Sequence, residues 1–176
     1  MVKTILLIVA AAIAALLIYA AMQPDTFRFQ RSTRIQAPTA KIQPLIADLH
    51  QFNTWNPFNK KDPAMKGSYR DGLGGPGSVY DFEGNKDVGK GSVELLPGAS
   101  PGKVNMRLVM LEPFKVDNAI EFTLVPQGDA TEVTWAMQGP SPFFAKLMHV
   151  VFNMDKMVGK DFEAGLSSLK AIAERS

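Results

Sequence analysis

Asp48 and His50 stand two residues apart near the end of a short apolar-striped segment. A histidine oriented by a carboxylate is the smallest unit that does general-base chemistry. An aspartate in that place also caps a helix, and capping or a surface role is the better reading of its position. The other histidine, His149, lies among Phe144, Met148 and Phe152, a pattern of amphipathic packing and not of a base. Two histidines and no cysteines exclude a three-histidine metal site, a thiolate site, disulfides and a cysteine nucleophile. No metal and no cofactor is expected.

The segment GLGGPG, Gly72 to Gly77, has the form G-x-G-x-x-G. A dinucleotide site needs that loop to open a helix, whose amides meet the pyrophosphate. Here Pro76 and the strand-like SVYDF follow, so the segment reads as a hairpin loop able to gate a pocket. VGKGS, Val88 to Ser92, lacks the spacing of a Walker loop, and neither H-E-x-x-H nor G-x-S-x-G occurs. Tyr69 and Tyr80 are the better polar candidates. Tyr80 shares a face with Phe82, and a buried phenol takes a ligand or a backbone group as partner. Strand parity turns Arg107 and Glu121 outward, as exposed cross-strand ion pairs.

Alternation defines the elements that position these groups. TFRFQRSTRI, Thr26 to Ile35, reads as a half-buried strand whose arginines, Arg28, Arg31 and Arg34, form a solvated face. A helix opens at Ala37-Pro38-Thr39, carries Ile42, Leu45, Ile46 and Leu49 on one stripe, and breaks within Gln51 to Phe58. Six strands follow from Lys66 to Gln138, with turns at Gly98–Lys103 and Gly128–Thr131. Their shared apolar face is Tyr80/Phe82, Val93/Leu95, Val104/Met106/Leu108/Met110, Ile120/Phe122/Leu124 and Val133/Trp135/Met137. A helical tail from about Pro142 to Arg175 supplies the cover, with Met154, Met157, Val158, Phe162, Leu166, Leu169 and Ala173 on its stripe. Gly159 and Gly165 flank Phe162 on that wheel. Each costs about 1 kcal/mol against alanine in a helix. They either let the helix approach the sheet or leave room beside Phe162.

The chain has 176 residues and a formal charge of +2, a balance against a nucleic-acid footprint. From Ile5 to Met22 no residue is charged and none is proline. That run spans about 27 Å as a helix, close to the hydrocarbon thickness of a bilayer. Cleavage after Ala21 or Ala20 would set Tyr19 or Ile18 three residues before the cut, so a retained anchor over 4–23 is preferred to a signal peptide. Lys3 and the α-amine precede the segment and three arginines follow it; the reading places the domain on the extracytoplasmic side. Ala10/Ala14 and Ala11/Ala15 offer a small-residue face for pairing helices.

Together IQAPTAKIQPLIADLHQFNTWNPF, GPGSVYDFEGN, VGKGSVELL, TEVTWAMQG and DKMVGKDFEAGLSSLK resemble the START-like or Bet v1-like superfamily (SRPBCC, polyketide cyclase/dehydrase-like). The resemblance runs from about Phe27 to Glu174, and membrane-tethered bacterial members look like this. It implies an α+β helix-grip fold over 26–175: a curved antiparallel sheet wrapped around a long C-terminal helix with a cavity between them, plus one N-terminal transmembrane helix. On that reading the two glycines make space over the sheet. The expected function is binding of a hydrophobic small molecule or lipid, with Tyr80 or Trp135 orienting its polar end. Candidate lining residues are Tyr69, Tyr80, Phe82, Met106, Leu108, Met110, Phe122, Trp135, Met137, Val158, Phe162 and Gly165. Met106, Met110, Met137, Met154 and Met157 take inward positions, and methionine suits an adaptable cavity. GLGGPG and Asn53–Asp62 are candidate gates, and Pro142–Phe152 packs on its own domain or meets the membrane. The alternatives are a cyclase or dehydratase, which needs an acid or base in the cavity, and an interaction module with a filled core.

Overall fold

Residues that alternate in polarity build the sheet, and the one long amphipathic helix left in the chain covers it. The computed structural model describes residues 1–70, 75–98 and 101–175. Its strands are β1 (Thr26–Ile35), β2 (Lys66–Arg70), β3 (Val79–Glu83), β4 (Lys90–Leu96), β5 (Lys103–Glu112), β6 (Val116–Gln127) and β7 (Ala130–Pro140). They pair antiparallel in the order β1-β7-β6-β5-β4-β3-β2. The helices are α1 (Val2–Ala21), α2 (Thr39–Ile46), α3 (Leu49–Trp55), α4 (Phe58–Lys61), α5 (Phe143–Phe152) and α6 (Met154–Ala173). This is the helix-grip fold.

The far edge of the sheet curls back onto the helices. Tyr69 on β2 stacks on His50 of α3 at 3.9 Å, and its hydroxyl accepts a hydrogen bond from Asn53 at 2.8 Å. Beneath α3, Trp55, Phe52, Phe122 and Trp135 meet edge-on or tilted, with neighbouring ring centroids 4.8–6.3 Å apart. Burying each such ring contributes on the order of 2 kcal/mol.

The seat of α6 answers the question its glycines raise. Phe162 stacks on Trp135, centroids 4.3 Å apart and planes 9° from parallel. A methyl group on Gly165 would lie 2.7 Å from Trp135 Cζ3 and 2.9 Å from Pro57 Cδ. One on Gly159 would collide with the Arg31 guanidinium. The glycines therefore permit close approach, and the expectation that they hold space open is corrected: Trp135, Pro57 and Arg31 fill it.

Arg31 is the second correction. It lies opposite Trp135 in the β1–β7 register and so on the inner face, not among the solvated arginines. Its guanidinium donates to Glu163 (2.9 Å), to both carboxylate oxygens of Asp155 (3.1 Å each) and to the carbonyls of Asp155 (2.9 Å) and Gln30 (2.7 Å). The Asp155 carboxylate is the main cause that raises its already high pKa. On the other flank Lys61 pairs with Asp161 at 2.7 Å, so α6 is gripped from both sides.

Three local expectations also change. The stretch HQFNTW continues as its own helix, α3, because Asp48 caps it by accepting from the amides of His50 (2.7 Å) and Gln51 (3.3 Å). The helical tail divides at Asn153, whose left-handed backbone (φ 40°, ψ 60°) ends α5 while its side chain caps α6. Met157 points outward, 55% exposed, one position off the buried stripe. The first half of the Gly72–Gly77 gate, 72–74, falls outside the described residues. At the N-terminus α1 is long and apolar enough to cross a membrane, with a mean hydropathy of 2.7, and only Ala20 of it is buried.

Gly165→Ala drives a methyl into rigid ring and proline atoms and is expected to destabilise the chain by about 1–3 kcal/mol. Gly159→Ala meets only the end of a flexible side chain and gains helix propensity, so its net effect stays within about 1 kcal/mol. Denaturant unfolding of the detergent-solubilised full chain checks the ranking, and the reverse order contradicts this account of the glycines.

Candidate functional site

The inner face of the sheet changes character along the strands. At its centre Met106, Phe122, Trp135 and Phe162 are at most 1% exposed, with Gly165 closed over by Trp135 and Pro57. Toward the end where β5 finishes and β6 begins, the inward side chains Phe82, Leu108, Met110 and Met137 are only half-buried, as is Val158 on α6. Register puts the four sheet residues at one end: Leu108 faces Asn118, Gly91 pairs with both Met110 and Phe82, and Met137 faces Ile120. The candidate lining residues thus fall into a closed, fully packed group and an open, half-covered group.

The tyrosines sit on the curled wing. Tyr80 is buried and lies over Gly67, where a methyl group would strike its hydroxyl. Burial, with the neighbouring Tyr69, raises its pKa, so it is a neutral phenol at physiological pH. Tyr69 is 37% exposed and holds α3 through His50 and Asn53, which makes it a fastening residue of the wing.

Two polar atoms on the inner face matter most. Among the described residues the indole nitrogen of Trp135 and the side-chain oxygen of Asn118 are buried without a hydrogen-bond partner. Asn118 is 6% exposed and its amide nitrogen rests 3.8 Å from the Met137 sulfur, a weak contact. The side chain lies over Gly139, the one residue that leaves space for it beside the Phe27 ring. An unsatisfied buried polar group costs about 1–3 kcal/mol. The pair supplies one donor and one acceptor on one face, with Met137 between them along β7. Trp135 is among the candidates that the sequence offers. Asn118 was missed, although alternation in NAIEFTLV puts it in line with Ile120, Phe122 and Leu124.

The other chemistry-bearing residues take structural places. His149 on α5 meets Phe27 and Phe29 edge-on at 5.4 and 5.5 Å, and burial lowers its pKa. Arg107 and Glu121 face outward, Arg107 paired with Asp117 at 2.6 Å and Glu121 with Lys103 at 3.2 Å. On that outer face a hollow of about 760 Å³ surrounds Ala119, but its arginines are engaged: Arg28 with Gln138 and Glu121, Arg107 with Asp117. Among the described residues no group of three or more His, Cys, Asp or Glu could hold a metal ion.

The family described as polyketide cyclase/dehydrase and lipid transport matches residues 26–174. Among solved structures, norcoclaurine synthase from Thalictrum flavum, in complex with dopamine and hydroxybenzaldehyde, is similar at a TM-score of 0.65 and 11% identity, covering 90% of this chain and 93% of its own. A protein from Thermobifida fusca follows at 0.61 and 20% identity, over 84% and 93% of the two chains. One from Chromobacterium violaceum gives 0.58 and 14%, over 88% and 100%. At these identities the likeness is one of fold. No curated protein matches the chain.

Asn118→Leu removes the unpaired oxygen at similar volume. It is expected to leave stability unchanged or raise it by up to about 2 kcal/mol, whereas a comparable loss in urea unfolding would mean that Asn118 is already satisfied. His149, with its folded pKa lowered, binds its proton more readily when unfolded. Stability therefore falls as pH drops through the unfolded value near 6.5 toward the lower folded one. His149→Gln is expected to flatten that slope in unfolding series between pH 7.5 and 5.5.

Proposed function

The chain belongs to the polyketide cyclase/dehydrase and lipid transport family, and from that premise we propose that it is a membrane-anchored domain that binds a hydrophobic small molecule or lipid. The ligand enters over Phe82, Leu108, Met110 and Met137 and lies along the inner face of the sheet under α6. The observation that carries the reading is the pair of unpartnered buried atoms, Trp135 Nε1 and Asn118 Oδ1, on that face. A guest with a hydroxyl, or another group that both donates and accepts, relieves either penalty and gains apolar burial of roughly 25 cal/mol per Å². A small-molecule complex of norcoclaurine synthase, in the same fold, supports such a site.

Helix α1 holds the domain at the bilayer, with Lys3 and the α-amine on the cytoplasmic side and the domain outside. The anchor brings a sparingly soluble ligand within reach by confining search to the membrane surface. Candidate gating falls to the segment from Asn53 to Asp62, which carries α4 and borders α6 through Lys60–Ser168 and Lys61–Asp161.

Native mass spectrometry of the full chain, released from detergent micelles after gentle purification, tests the proposal. A defined apolar mass is expected on the unaltered chain and is lost in Leu108→Trp, which fills the open end while lipids on α1 remain. Asn118→Leu and Trp135→Phe each reduce occupancy roughly five- to tenfold, the worth of one hydrogen bond of about 1 kcal/mol. A chain carrying only α1-associated lipid, the same in Leu108→Trp, overturns it.

A further inference from the structure

Helix α5 is built inside out. Its ten residues, FFAKLMHVVF, include two titratable side chains, and both face the protein. Lys146 is buried and pairs with Asp25 at 2.6 Å, and His149 packs on Phe27 and Phe29. The phenyl and valyl groups look away: Phe144, Val151 and Phe152 are each 52% exposed. Phe144 and Val151, seven apart, lie on one stripe. A helix at a water-facing surface shows the opposite arrangement.

The apolar surface extends beyond the helix. Phe114, in the turn between β5 and β6, is 56% exposed and meets Phe144 with ring centroids 5.3 Å apart. Leu111 beside it and Met157 at the start of α6 are 50% and 55% exposed. Contiguous exposed apolar surface marks a contact with a partner or a membrane. Here the neighbouring element identifies which. Helix α1 packs on α5, with Leu16 and Ala20, four apart, as its covered residues, so the patch continues the surface of a helix long and apolar enough to cross a bilayer. Asp117 and Asp155 nearby are already paired with Arg107 and Arg31, and the outward side chains of α5 carry no charge, so burial of apolar surface drives the contact.

We propose that α5, the β5–β6 turn and the first turns of α6 form one lipid-docking face that sets the open end of the sheet against the bilayer. The proposal rests on the reading of α1 as a membrane anchor. Register places Leu108, Met110 and Asn118 at the same end as Phe114, so a ligand passes from the acyl phase to the inner face without crossing bulk water.

The chain has no cysteine, so single cysteines can be spin-labelled uniquely. Four exposed positions serve: Ile13→Cys in α1, Phe144→Cys, Phe114→Cys, and Val125→Cys at the opposite end of β6. The full chain is reconstituted in phosphatidylcholine vesicles, and collision of each label with oxygen and with a water-soluble nickel complex is measured by power saturation. The labels at 13, 114 and 144 are expected to favour oxygen several-fold more than the label at 125. An oxygen-favoured label at 13 with labels at 114 and 144 matching 125 overturns the docking face and leaves the anchor standing. A nickel-accessible label at 13 removes the anchor and the proposal with it. Labels at 114 and 144 shielded from both reagents and broadened by a neighbouring spin assign the patch to a second copy of the chain, which also overturns it.

Discussion

The distance between α6 and the sheet sets the rest of the structure. Two residues without side chains make that distance short: Gly165 lets Trp135 and Pro57 close on the helix, and Gly159 lets the Arg31 guanidinium pass beneath it. Each glycine weakens the helix by about 1 kcal/mol, and tertiary contact offsets the loss. The Trp135–Phe162 stack and the four hydrogen bonds from Arg31 to Asp155 and Glu163 exist only at this separation. Because Arg31 holds the start of α6 and the Trp135 stack its middle, the helix has little freedom to slide or roll.

Fixing α6 there leaves the two ends of the inner face unequal. Rings from α3, β6, β7 and α6 fill the centre, where buried apolar area is large and close packing leaves no need of a guest. Toward the β5–β6 end the apolar side chains are half-covered and Asn118 Oδ1 lacks a partner, while the unpartnered indole nitrogen of Trp135 belongs to the packed centre. Stability and binding are thus divided along one face. The packed half supports the fold, and the half-covered half retains surface and hydrogen-bonding capacity that a ligand can satisfy.

The same end carries the inverted helix α5. A lysine and a histidine turned inward, with phenylalanines turned outward, make sense when the medium outside is less polar than the contact inside. Asp25 receives Lys146 at the joint between α1 and β1, and Lys146 keeps the Asp25 pKa low. This ion pair ties the domain to the helix that leads out of it. The open half of the site, the exposed rings and α1 therefore share one pole of the molecule.

Much of this was legible in the sequence because its periods are local. Alternation located the seven strands and assigned nearly every inward residue, and the 3.6-residue stripe located α6 and placed its glycines beside Phe162. Length and apolarity alone marked α1. Asp48 could be read as a cap because capping involves residues two and three positions away. Period also placed Asn118 on the inner face, but that it lacks a partner depends on what Met137, Gly139 and Phe27 do around it. Only the tertiary structure turned Arg31 inward as a bound cation, since its carboxylates stand 124 and 132 positions away. It alone decided that the glycines serve close approach and not empty space, because the atoms that fill the gap belong to β1, β7 and Pro57. A chain's local geometry follows from neighbouring residues, whereas contact, burial and satisfaction of polar atoms are properties of distant residues brought together.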